Sequence, residues 1–115
     1  MTLHTMPTTM PLVPTWDDPL RQQAFASWLE RLAPSQGLHT GSVRVASADA
    51  SFRRYFRVTA DDARSLIAMD APPEREDCRP FVRVAALLRA AGVNAPAVIA
   101  QDLERGFLLL TDLGD

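Results

Sequence analysis

Three arginines on one short strand, directly after a turn of small residues, constrain this chain more than any other feature. Ala46-Ser47-Ala48-Asp49-Ala50-Ser51-Phe52-Arg53-Arg54-Tyr55-Phe56-Arg57-Val58 reads as a strand, a tight turn and a second strand. Val43 and Val45 alternate with polar residues, and so do Phe52, Phe56 and Val58. Residues 42–46 and 52–59 are therefore expected as antiparallel neighbours. Strand alternation sends Arg53 and Arg57 to one face and Arg54 to the other. Arg54 then shares a face with Phe52, Phe56 and Val58, where it is either sandwiched at an edge or reaching into a cleft. For Arg53 and Arg57 the solvated or aromatic-stacked reading is preferred.

The rest of the chain supplies what such a hairpin needs as neighbours. Asp18-Pro19 opens a first helix with a capping residue and a proline in the first turn. Leu20, Ala24, Phe25, Trp28, Leu29 and Leu32 recur at helical spacing, and Pro34 is expected to end the helix. A polar turn at residues 60–63 leads into a third strand at 65–69. Pro72 and Pro73 interrupt regular structure after that strand, and Glu74-Arg75-Glu76-Asp77 reads as a solvated charge run near a helix start. The second helix is expected over residues 80–91, with Phe81, Ala85 and Leu88 on its buried side beside Val84 and Leu87, and Gly92 as its stop. Residues 97–101 and 107–111 form a second hairpin around Leu103-Glu104-Arg105-Gly106. Residues 107–110 are continuously apolar, as a central strand covered on both faces requires. The expected fold is α+β, a five-stranded antiparallel sheet with two helices. Residues 1–16, with Pro7, Pro11 and Pro14, are expected as a disordered tail, and residues 17–115 as one small domain.

Charge and composition exclude several functions. Twelve basic against fourteen acidic residues give a net charge of −2, which leaves no nucleic-acid footprint. All twelve are Arg, so a phosphate bound here is held by guanidinium groups or backbone amides and never by an ammonium group. Cys78 is the single cysteine, which rules out an intrachain disulfide or a cysteine-based zinc site and fits a reducing cytoplasm. His4 and His39 lack ligand-like spacing. No run approaches the ~18 apolar residues of a membrane span, and the first residues lack the pattern of a signal peptide. No Ser/His/Asp set, zinc spacing or complete phosphate-loop signature occurs. A cytoplasmic protein without nucleic-acid or membrane partners is expected.

Two segments carry possible chemistry. Small residues at Asp49, Ala50 and Ser51 let a backbone approach a ligand closely, so their N–H groups could cradle phosphate oxygens. In isolation the plain turn reading of Asp49 and Ser51 is the stronger one. Leu110-Thr111-Asp112-Leu113-Gly114 is a strand end turning polar and flexible, against which a flat heterocycle could dock.

With these residues in place, the chain resembles the amino-terminal lobe of the aminoglycoside phosphotransferase-like kinases, which have a protein-kinase-like fold. Within that family it is similar to bacterial kinases that phosphorylate the anomeric hydroxyl of N-acetylmuramate and N-acetylglucosamine. The likeness is carried by residues 48–58, Met69-Asp70-Ala71-Pro72-Pro73-Glu74, Glu76-Asp77-Cys78-Arg79-Pro80-Phe81 and residues 106–114. It implies ATP as the nucleotide, with Asp49, Ala50, Ser51 and Phe52 over its phosphates and Ile67 in the adenine ceiling. The Thr111 carbonyl and Leu113 amide would pair with adenine on either side of Asp112. Two departures stand out: Met69 occupies the position of the usual phosphate-anchoring lysine, and Arg83 falls near that of its glutamate partner. Arg54 is the expected replacement anchor. The family's catalytic aspartate and its Mg2+ ligands belong to the carboxy-terminal lobe, so no catalytic or metal-binding residue is expected here. The chain is expected to end at the interlobe hinge, to expose apolar surface at residues 110–113 and to be inactive alone. The parent activity implied is phosphorylation of an amino sugar in cell-wall recycling. The alternatives are a non-catalytic small binding module and a phosphotransferase acting on an aminoglycoside or another small alcohol.

Overall fold

A computed structural model describes residues 14–48 and 53–114. Five strands, β1 (Arg44–Ala48), β2 (Arg54–Thr59), β3 (Ser65–Asp70), β4 (Val98–Asp102) and β5 (Phe107–Thr111), form one antiparallel sheet. The strand order is β1-β2-β3-β5-β4, with helix α1 (Pro19–Gln36) on one face and α2 (Arg79–Ala90) on the other. This is the α+β kinase-like lobe expected. β5 is interior and buried along residues 107–110, because both of its faces are covered. β1 lies two residues later than its sequence pattern suggests, since a short 3-10 turn at Thr40–Ser42 takes up its expected start, while β2 ends at Thr59 as expected.

One side chain in two faces α1. Phe56 and Val58 of β2, Leu66 and Ala68 of β3, and Phe107 and Leu109 of β5 meet Phe25, Trp28 and Leu29 of the helix. Burying each large side chain of that set contributes about 1.5–3 kcal/mol. The Asp18 carboxylate caps α1 by accepting the Leu20 and Arg21 amides at 3.0 and 3.3 Å. The helix runs through Pro34 and stops at Gly37, which adopts the left-handed conformation at φ 67°. Pro34 is tolerated because it and Glu30, four residues back, are on the solvent side of the last turns.

Leu20 departs from the expected stripe and is 77% exposed. At 3.6 residues per turn, Arg21 points within about 20° of Trp28 and Leu20 about 80° away. Arg21 takes the buried place because Asp70, 2% exposed, is opposite it at the end of β3. Its Nε and Nη2 reach Asp70 Oδ1 at 2.6 and 2.5 Å, and its guanidinium carbon is 4.6 Å from the Phe107 ring centroid. Trp16, just before α1, also packs on this core. Trp16 stacks on Phe56 at 5.6 Å and packs against Phe25 at 5.2 Å.

The other face is covered less completely. Met69, Ala71, Cys78, Leu108 and Leu110 form its buried cluster, and α2 contributes Phe81, Val82 and Ala85. Leu88, expected on the buried side, and Val84 and Leu87, expected beside it, are exposed instead. The helix leans on the β4–β5 end of the sheet. That leaves the β1–β2 end open on this side.

Candidate functional site

The open part of the sheet is a groove of about 380 Å³. Tyr55 and Arg57 of β2 and Ile67 of β3 line it from below, because strand alternation turns all three to the α2 side. Phe81 of α2 forms one wall, and Thr111, Asp112, Leu113 and Gly114 form the end where the chain leaves β5. The volume falls within the range of small-molecule sites, and the lining combines aromatic walls with exposed strand-end backbone.

Asp112 fixes that end. Its carboxylate accepts from Arg57 Nε at 2.9 Å, Ser65 Oγ at 2.6 Å and the Gly114 amide at 2.9 Å. Burial alone would raise its pKa, but the Ser65 and Arg57 hydrogen bonds and the Gly114 amide lower it to about 2. A carboxylate held below its unfolded pKa contributes stability above pH ~4 and loses it as pH falls towards 2. Asp112→Asn is expected to cost about 1–2 kcal/mol at pH 7, with the difference from wild type closing in acid; urea titrations at pH 7 and pH 3 measure it. A constant difference at both values would mean that charge is not what holds this end.

At the opposite end of β2, Arg53 Nε reaches Glu76 Oε1 at 2.6 Å while Nη2 contacts Oε2, a two-point pair. The guanidinium carbon is 5.5 Å from the Phe81 ring centroid, and Nη1 is 3.4 Å from Tyr55 Oη. Glu76 is thus drawn onto the sheet and is not part of a solvated run. Cys78 is buried beside it, and desolvation pushes its thiol pKa up.

The structure brings together Ile67, Thr111, Asp112 and Leu113 from the expected site. Arg54 requires correction: it lies on the α1 face, its guanidinium carbon 4.6 Å from the Trp16 centroid and 4.9 Å from the Phe56 centroid, donating to the Thr15 carbonyl at 2.6 Å. The sheet stands between it and the groove, so of the two readings of this arginine the sandwiched one holds. Met69 also departs from expectation, being fully buried under α2 and absent from the groove lining. Arg83 is exposed. Of residues 110–113, expected as exposed apolar surface, only Leu113 is exposed, at 49%, while Leu110 is buried. Asp49, Ala50, Ser51 and Phe52 lie outside the described residues. Tyr55, Arg57 and Phe81 were missed as lining residues, although alternation along β2 already put the first two on a common face.

A cavity of about 310 Å³ opens on the other side of the molecule, between α1, Trp16 and residues 40–43. It lacks both a strand end and a paired arginine. Among the described residues, no three His, Cys, Asp or Glu side chains converge as a metal site, and Asp102, Asp112 and Glu76 are each paired with an arginine. No helix among the described residues is long and apolar enough to cross a membrane.

A kinase-like lobe with a groove at the end of its interior strand defines a class, and comparison with known proteins agrees. The chain belongs to the phosphotransferase enzyme family, whose pattern matches residues 42–115. It is 54% identical over 104 residues to the N-acetylmuramate/N-acetylglucosamine kinase of Pseudomonas aeruginosa, covering 84% of this chain and 30% of that protein. The kinase of the same name from Pseudomonas putida is 60% identical over 74 residues, 64% of this chain and 22% of the relative. That of Neisseria meningitidis is 39% identical over 95 residues, 83% and 27% respectively. The aligned segments therefore span less than a third of each relative. No solved structure gives a significant match.

Proposed function

We propose that residues 17–115, extended to include Trp16, form the ATP-binding lobe of a small-molecule kinase that transfers the γ-phosphate to the anomeric hydroxyl of an amino sugar. The observation that carries this reading is the groove, which ends at Thr111–Gly114 and has Ile67 and Phe81 on its walls. On this reading the purine lies over Ile67 and beside Phe81, with its polar edge toward the backbone of residues 111 and 113. Asp112 acts on the site through position: by binding Arg57 and Ser65 it sets the course of the backbone on which the base docks. The substrate class is supported by three relatives that bear the name N-acetylmuramate/N-acetylglucosamine kinase. A role in cell-wall recycling in the cytoplasm follows from that substrate.

Phosphoryl transfer depends on positioning and charge stabilisation, with a base and Mg2+ both required. The described residues do not fit Mg2+, since no three of their carboxylates converge and Asp112 and Glu76 at the two ends of β2 are taken up by arginines. The base and the metal are assigned to residues outside those described, and the chain alone is inactive on this reading.

Two measurements test the proposal. Adding ATP to the chain should shift the amide resonances of Tyr55, Ile67 and residues 111–114, and Ile67→Trp, which fills the groove, should weaken binding at least tenfold. Shifts confined to the Trp16 side would remove the assignment. Incubating the full-length protein with ATP and N-acetylmuramate, N-acetylglucosamine, kanamycin or choline should give phosphorylation of the two amino sugars. Turnover of kanamycin or choline alone would replace the substrate and keep the kinase. Binding of no nucleotide, with no turnover, would favour a non-catalytic module.

A further inference from the structure

We propose that Arg53, oriented by Glu76, is the residue that contacts the phosphate chain of the bound nucleotide. The inference rests on the nucleotide reading of the groove and moves the arginine contact from Arg54, where the sequence placed it, to Arg53. Arg57 and Arg53 are on the same face of the chain, four residues apart, and therefore about 13 Å from one another at ~3.3 Å per residue. Arg57 is committed to Asp112 at the base-docking end. Arg53 lies just outside the groove lining, at the other end of β2, and touches two of the lining residues, Phe81 and Tyr55. A nucleoside lying along the groove with its base at residues 111–113 directs its phosphates toward this guanidinium.

The pairing with Glu76 orients the group for that role. A guanidinium is a planar fork of five donors. Glu76 engages the Nε–Nη2 side in a two-point pair, which fixes the plane and leaves Nη1 facing the hydroxyl of Tyr55, a residue of the groove floor. An arginine held this way loses little side-chain freedom when a phosphate oxygen arrives. The pair is also partly shielded, with side chains 27% and 20% exposed, so its field is less screened than that of a surface ion pair. Among the alternatives, Arg54 is across the sheet and Met69 carries no charge. The chain has no lysine to substitute.

The competing explanation is a purely structural tie between β2 and the segment before α2. Binding of adenosine, ATP and inorganic tripolyphosphate to the chain separates the two, because only a phosphate contact distinguishes these probes. Arg53→Ala should keep adenosine affinity within twofold, weaken ATP about tenfold or more and abolish tripolyphosphate binding. Arg53→Lys should recover part of the ATP affinity, and Glu76→Gln should lose part of it. Arg54→Ala should leave the preference for ATP over adenosine unchanged. An Arg53→Ala protein that retains the wild-type preference overturns the inference and leaves the nucleotide reading standing. So does a wild-type chain that binds adenosine and ATP equally. A wild-type chain that binds neither overturns both.

Discussion

Gly106→Ala should remove a large share of the stability of the fold, about 4 kcal/mol or more. Gly106 is in the turn joining β4 to β5, at φ 78°, and an added Cβ would lie 1.9 Å from the Ala71 carbonyl oxygen and 2.9 Å from its carbon. Both are backbone atoms of a fully buried residue, and the Ala71 amide donates to the Gly106 carbonyl at 2.8 Å. Neither side can retreat without losing that bond or shifting the end of β3. A left-handed alanine costs about 1–2 kcal/mol by itself, and the overlap should bring the total to about 4 kcal/mol or more. A domain of this size has only about 5–10 kcal/mol in hand. Gly92→Ala is the matched control, since Gly92 has φ 80° with nothing within 4 Å of its Cβ position; it should cost about 1–2 kcal/mol. Urea midpoints of the two variants give the answer, and equal losses would show that the Ala71 contact is not what matters.

Arg21→Ala is expected to destabilise the protein by about 3–5 kcal/mol at pH 7, because it strands a buried carboxylate. Desolvation raises the Asp70 pKa, while Arg21 pulls it down both through charge and through its hydrogen bond. Removing Arg21 leaves desolvation to act with less opposition, so the folded pKa rises further. A group whose folded pKa is above its unfolded value is least costly below the unfolded pKa and loses stability as pH rises through the folded value. The deficit of Arg21→Ala should therefore be largest at pH 7 and shrink below pH 4, where Asp70 is neutral in both states. Chemical denaturation at pH 7 and pH 3 tests the sign. The double variant Arg21→Met/Asp70→Leu should recover most of the loss, since an apolar pair of similar volume matches a buried ion pair in many folds. A pH-independent deficit would instead indicate lost packing of the Arg21 stem over Phe107.

The elements could be read from the sequence because their signals were local. Alternation in β2, the apolar run of β5 and the Asp18-Pro19 start of α1 each depend on a few neighbouring residues, and the structure follows them. Failures arose where a distant partner decided. Arg21 displaced Leu20 from the buried stripe because Asp70, on another strand, faces it. Glu76 looked solvated until β2 delivered Arg53 to it. On α2 the apolar residues outnumber the places the sheet offers, so periodicity could not tell Val82 from Leu87. Of the expected site residues, Ile67 and Thr111–Leu113 come together in one groove, and strand alternation could suggest that. The side of the sheet on which Arg54 lies was not legible, because alternation assigns opposite faces without saying which one α1 covers.

The two tryptophans, Trp16 and Trp28, belong to the α1 side, whereas the single tyrosine, Tyr55, faces the groove. Emission is thereby partitioned between the two halves of the molecule. A guest seated in the groove should perturb the phenol and leave indole fluorescence nearly constant, while occupancy of the rear cavity beside Trp16 should do the reverse. The chain carries its own optical label for deciding which side a ligand has chosen.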